Sequence, residues 1–256
     1  MKTIKSTLLL AIMATLCFNT TIAQNNDKLQ AYTVHEDWVK PAMVMQYEKA
    51  ATALVEKMKE HNIKSTSWLT TSTDNFRYLY VTPIENMAEL DQNVFAPLQK
   101  KMGQEAFGEL MSGFNPCYDK HGDYIIYMDK ELTYMPNGIT QKPEGENYRK
   151  FIYIYFSPKN TSKMRTAMKA VKDLFASKKS TNYYRIYQSG FGNMDSYYMV
   201  AIAAKDPIEM EQKSAANDKL LGEDAGPVFG RVLGLSLKFE EYTGNMRPKL
   251  AYSPKD

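Results

Sequence analysis

Cysteine is nearly absent: the 256 residues include Cys17 and Cys117 and no other. If Cys17 leaves with an export segment, one thiol remains, and a lone thiol forms no internal disulfide. Stability must then come from packing. Histidine is almost as scarce, at His35, His61 and His121. There is no HExxH, no paired CxxC and no His/Cys cluster at metal-ligand spacing, so no metal is expected. GxSxG is also missing, and Gly190-Phe191-Gly192 lacks the rest of a dinucleotide fingerprint. Charge of one sign is lacking too. A formal charge of +3 gives no electrostatic claim on nucleic acid or an anionic membrane.

What is present begins with an export signal at residues 1–23. Lys2 and Lys5 form a positive start, residues 8–18 an apolar stretch, and Thr21-Ile22-Ala23 a small-residue cleavage site. The apolar stretch is about half of the roughly 20 residues that a spanning helix needs, so no stable membrane anchor is expected. Leu16 stands where a lipoprotein would carry a small residue before its cysteine, so Cys17 reads as part of the discarded segment. Removal of the two lysines takes the charge from +3 to +1. The Ala23-Gln24 junction resembles signal-peptide ends common in Bacteroidetes-type bacteria. A periplasmic or secreted location is expected.

The remainder reads as one unit written twice. Residues 24–30 form a polar lead-in, 31–140 a first unit, 141–147 a linker rich in Gly, Pro and charge, 148–245 a second unit, and 246–256 a tail. Each unit runs strand, helix, strand, strand, helix, strand. In the first, residues 32–35 form a short strand, and Pro41 opens a helix whose apolar stripe includes Tyr47, Ala51, Leu54 and Met58. Strands at 67–71 and 76–81 follow, then a helical region interrupted by Pro97, then a closing strand at 123–128. In the second, a strand at 151–156 precedes a helix with Met164, Ala167, Met168, Val171, Leu174 and Phe175 inward. Strands at 183–188 and 196–204, a helix opened by Pro207 and a closing strand at 232–239 complete it. Thr82-Pro83-Ile84-Glu85-Asn86-Met87 and Asp206-Pro207-Ile208-Glu209-Met210 give both halves the same punctuation.

This order is the split βαβ, or ferredoxin-like, unit. The predicted fold is α+β, with two tandem ferredoxin-like units packed sheet to sheet as a pseudo-dimeric α/β barrel. With the pattern from Trp38-Val39-Lys40-Pro41 to Gln46-Tyr47-Glu48, the chain resembles the dimeric α/β-barrel superfamily, which contains NIPSNAP-like proteins and antibiotic-biosynthesis-type monooxygenases. Here a single chain would supply both halves of the dimer. Fold alone does not deliver an activity.

Strand alternation suggests a site. Residues i and i+2 share a face, which sets Tyr78 and Tyr80 opposite Leu79 and Val81, and Tyr153 and Tyr155 opposite Ile152 and Ile154. With Trp68, Arg185 and Tyr187, these tyrosines are expected to face the space between the sheets, around an aromatic cavity suited to an aromatic or anionic molecule. The bland alternative is that they fill the barrel. His35-Glu36-Asp37 offers the best candidate acid/base residue in His35, although on a strand Glu36 points away from the other two. His61 reads as a helix-end charge partner, His121 as a turn residue beside Gly122, and Cys117 as an inert residue in a loop.

Three readings of function follow. One is an exported, non-catalytic or weakly catalytic protein that binds a small organic molecule and needs no cofactor. The second, implied by the resemblance, is a cofactor-independent or haem-using monooxygenase-like enzyme. The third is a structural or interaction module of the cell envelope.

Overall fold

The computed structural model describes residues 28–255; the expected export segment at 1–23 and most of the expected lead-in lie outside them. The first half contains β1 (Leu29–Val39), α1 (Val44–Glu60), β2 (Leu69–Thr73), β3 (Arg77–Ile84), α2 (Ala96–Met102), α3 (Gln104–Ser112) and β4 (Tyr118–Asp129). The second contains β5 (Tyr148–Phe156), α4 (Thr161–Ser177), β6 (Tyr184–Ser189), β7 (Tyr197–Ala204), α5 (Pro207–Leu221), α6 (Ala225–Leu235) and β8 (Ser236–Met246). Among the described residues, no helix is long and apolar enough to cross a membrane.

Proline begins the helical segment after the first strand in both halves. Pro41 and Pro158 each open a short 3-10 turn that runs into α1 or α4, where a missing N–H and a fixed φ cost least. The repeated punctuation is also physical. Asn86 makes a capping box with Glu89, and the Asp206 carboxylate accepts the Glu209 amide at 2.9 Å ahead of α5.

The eight strands close into one antiparallel barrel in the order β1-β3-β2-β8-β5-β7-β6-β4. The halves meet at two seams, β2 with β8 and β4 with β6. At the first seam a Cβ on Gly244 would run into the Ser72 carbonyl, so glycine permits the close backbone approach. The chain after β8 docks on the first half: Tyr252 pairs with Trp68 and, with Leu250, is buried beside α1. The α+β fold of two ferredoxin-like units forming an α/β barrel is thus as expected.

Alternation separates three layers of packing. The inward faces meet around Tyr32, Val34, Leu79, Met128, Tyr153 and Tyr187. Outside the first half lies the α1 stripe from Tyr47 to Met58, and outside the second the α4 stripe from Met164 to Phe175. Each large apolar side chain buried this way stabilises the fold by about 1.5–3 kcal/mol.

Three expectations need correction. In β3, Leu79 and Val81 pack inside the barrel, while Tyr78 and Tyr80 face the helix layer. Both faces of this strand are covered, so a period of two gave no direction. Trp68 likewise faces the helix layer. The closing strands differ as well: β4 begins at Tyr118, which places His121 within a strand, and Val232 belongs to α6.

Candidate functional site

A cavity of about 980 Å³ lies between the outer face of the first-half sheet and its helices. Its mainly apolar walls include Ala51, Leu54, Trp68, Phe95 and Phe114, and its polar floor is His35, Asp37, Tyr80, His121 and Asp123. Three strands build that floor. His35 and Asp37 are i and i+2 on β1, His35 is opposite Tyr80 of β3 and Asp123 of β4, and Asp37 is opposite His121.

The floor is tightly held at one end. Tyr47 of α1 donates to Asp37 Oδ2 at 2.6 Å, and its hydroxyl is 2.9 Å from that of Tyr80. His35 Nδ1 sits 2.9 Å from Asp123 Oδ1, while its Nε2 is 3.2 Å from Asp37 Oδ1. That second contact is too poorly aligned for a hydrogen bond: Asp37, 3% exposed, leaves Oδ1 buried with no hydrogen-bond partner. Burial opposes a charge on His35, but the carboxylates of Asp37 and Asp123 outweigh it and push its pKa up to about 9. Burial, with Asp37 and the neighbouring hydroxyl adding to it, raises the Tyr47 phenol far above its ordinary value. Tyr80 is raised too, mainly by burial. Both remain neutral donors. His121 lies with its ring centroid 5.7 Å from that of His35, on the exposed side.

The residues expected to form one site fall into three places. His35, Trp68 and Tyr80 line the large cavity; Trp68 is pinned there by its indole N–H donating to Leu250 O at 2.8 Å. Tyr78 lies beneath α1, its hydroxyl donating to Glu48 at 2.5 Å. Tyr153, Tyr155, Tyr187 and Arg185 belong to the barrel interior, across the sheet from His35. Tyr153 packs against Tyr197 at 5.1 Å, Tyr155 donates to Glu240 at 2.7 Å, and Tyr187 packs against Tyr32 at 6.1 Å. Arg185 donates to the Thr140 carbonyl at 2.7 Å, just ahead of the linker, and its buried Nε has no hydrogen-bond partner. Glu36 points into the barrel as alternation requires, where it pairs with Arg77 at 3.3 Å and accepts from Tyr124 at 2.6 Å.

Tyr47, His121 and Asp123 were not singled out from sequence as floor residues. Tyr47 sits in an apolar helical stripe and resembles core. His121 and Asp123 reach the floor only through the β1–β4 register. The one local signal was the His-x-Asp spacing on a strand, which puts both side chains on one face.

The second half shows what the same fold does without such a floor. With Pro41 aligned to Pro158, His35 and Asp37 correspond to Ile152 and Ile154, Tyr47 to Met164 and Ala51 to Met168. Register adds Val200 for Tyr80 and Phe239 for His121. The register shift between Trp38 and Val39 recurs between Tyr155 and Phe156, which supports the alignment. Of these floor positions only Asp123 has a polar counterpart, Glu241 opposite Ile152; His35, Asp37, Tyr47, Tyr80 and His121 are all matched by apolar residues.

No protein-family profile and no curated protein matches the chain. Solved structures of similar architecture do. An anthrone oxidase-like protein superposes with a TM-score of 0.54 at 12% identity, covering 85% of this chain and 91% of the other. A candidate monooxygenase of Lactobacillus acidophilus gives 0.51 at 10% identity, covering 86% and 94%. One from Fusobacterium nucleatum gives 0.51 at 10%, covering 86% and 93%. At such identities the likeness establishes the fold, and the fold is the α/β barrel these proteins share.

Proposed function

We propose that the chain binds a small, mainly apolar organic molecule with one hydrogen-bonding end, in the cavity between the first-half sheet and its helices. The observation that carries this reading is a single polar floor, His35, Asp37 and Tyr80, at the base of a roomy apolar chamber. Specific ligand sites combine predominantly apolar walls with a few convergent polar groups that fix orientation. The floor offers donors at Tyr80 and His35, held in place by Tyr47 and Asp123. The proposed ligand site therefore lies beside the barrel. The same proposal takes residues 1–23 as an export signal, with the protein working outside the cytoplasm.

A monooxygenase-like enzyme is the second reading. It draws on the same floor, because an imidazole between two carboxylates is suited to proton handling, and the three neighbours described above carry oxidase or monooxygenase in their descriptions. Haem fits the floor poorly: the buried Asp37 carboxylate lies 3.2 Å from His35 Nε2, which leaves no room at that nitrogen for a group larger than a single ion.

Native mass spectrometry of protein purified from its own host tests the binding reading. A retained small molecule in the wild type, absent from Ala51→Met, is the expected result; Ala51 lines the cavity. An organic ligand held equally by both proteins would move the site elsewhere. Aerobic turnover of that ligand, lost in His35→Ala, would establish the enzyme reading.

A further inference from the structure

We propose that His35, Asp37 and His121 form a mononuclear site for a divalent transition-metal ion, of the two-histidine-one-carboxylate type, in the floor of this cavity. The inference deepens the binding reading, on which it rests only for what would occupy the coordination positions the protein leaves open. One ligand atom from each residue lies within 4.8 Å of the other two. Strand geometry makes that convergence rigid: two ligands are i and i+2 on β1, and the third is opposite Asp37 on β4.

The individual atoms are oriented for the role. His35 directs Nδ1 to Asp123 at 2.9 Å, the outer carboxylate that commonly fixes a metal-binding imidazole and its tautomer. This turns Nε2 inward, 3.2 Å from Asp37 Oδ1. Two adjacent ligands with bonds of about 2.1 Å to one ion stand about 3 Å apart. Asp37 is held through Oδ2 by Tyr47, while Oδ1 is buried and has no hydrogen-bond partner. A buried carboxylate oxygen without a partner is costly, and a cation at this point satisfies it.

The second half argues that the cluster is not required by the fold. Ile152, Ile154 and Phe239 stand at the corresponding positions, and the same strands pair there. Imidazole and carboxylate donors with open positions suit iron(II) among the first-row ions, whereas zinc and copper bind more tightly in competition. Cys117 is buried elsewhere and supplies no thiolate to the group. His121 is exposed, which gives an ion a path from solvent.

Metal binding is measured with the ion alone, on the full chain without organic ligand. Protein is equilibrated with cobalt(II), zinc(II) or anaerobic iron(II) and dialysed; metal content and the visible cobalt(II) spectrum are then recorded. One ion per chain is expected in the wild type and in His61→Ala, the remaining histidine serving as control. Removal of the outer carboxylate in Asp123→Ala should weaken binding on the order of 10- to 100-fold. His121→Ala, at an exposed strand position, should weaken it further, with circular dichroism showing an unchanged fold. No uptake by the wild type, or equal uptake by His121→Ala, overturns the proposal and leaves His35 as an imidazolium between two carboxylates. The two readings separate cleanly. Organic ligand retained by metal-free protein would overturn the metal site as a requirement for binding, and cobalt bound by a protein that retains no organic ligand would sustain it without the binding reading.

Discussion

The two halves have the same strands, the same proline-led helices and the same register, yet their helix-facing sides are opposites. In the second half, Ile152, Ile154, Met164 and Met168 fill the space between sheet and helix, with Phe175, Tyr184 and Tyr198 joining the same core. In the first half, the aligned positions are His35, Asp37, Tyr47 and Ala51, and a cavity of about 980 Å³ lies over them. A fold that packs apolar groups here in one copy has no structural need for an imidazole and a buried carboxylate in the other. The difference points to use. Natural proteins depart from well-packed, locally consistent solutions at functional sites and compensate elsewhere.

Exchanging the two chemistries should give the largest effect. Ile154 is buried against Phe156 and the α4 stripe, so Ile154→Asp places a carboxylate there with no Tyr47 equivalent to receive it. The expected loss is about 4 kcal/mol of unfolding free energy, the scale of an uncompensated buried charge. The reverse exchange, Asp37→Ile, should cost clearly less, about 1–2 kcal/mol, because it introduces no buried charge and His35 keeps Asp123 as a partner. The Tyr47 hydroxyl keeps Tyr80 as a partner in that variant. Urea denaturation of both proteins measures the contrast. A loss in Asp37→Ile as large as that in Ile154→Asp would make the floor a structural element and end the comparison.

Packing gives the next effect. Met168→Ala removes a buried side chain from a filled layer and should cost about 3 kcal/mol through lost contacts and a new cavity. Ala51→Met copies the second-half residue into the first-half chamber. Since space is already there, stability should stay within about 1 kcal/mol of wild type, while retention of an organic ligand falls. Thermal unfolding followed by ligand extraction reads both. Strong destabilisation by Ala51→Met would show that the chamber is narrower at α1 than its lining suggests.

Much of this architecture was legible because it depends on local pattern. The helical stripes, the two prolines and the strand punctuation each follow from neighbours within a few residues, and the buried faces of α1 and α4 are those stripes. The site was harder for two physical reasons. In β3, both faces are covered, so a period of two divides tyrosines from aliphatics without saying which set faces the barrel. Leu79 and Val81 went inward, and Tyr78 and Tyr80 outward. The second reason is register. His121 meets Asp37 only because β4 pairs with β1 across most of the first half, and no short-range pattern carries that pairing. The His-x-Asp spacing of His35 and Asp37 was visible, and it lacked only its third member.

The smallest contrast between the halves is expected inside the barrel, where both contribute to one shared core. Tyr32 from the first half and Tyr153 from the second both face it. Burial is the main cause that pushes each phenol up to about 12; the neighbouring Tyr187 reinforces it at Tyr32, and Arg77 partly opposes it at Tyr153. A pKa raised by folding means the folded state holds its proton more tightly than the unfolded chain, whose tyrosines titrate near 10. The resulting stability is complete below about pH 10 and is lost as pH rises toward 12. Tyr32→Phe and Tyr153→Phe should each flatten the alkaline fall in stability, and by similar amounts, because either change removes one proton-holding group from the same interior. Denaturation midpoints taken across that pH range measure it. A marked asymmetry between the two variants would mean that the halves differ inside the barrel as they do outside it, and the first-half cavity would then cease to be a local departure from an otherwise common design.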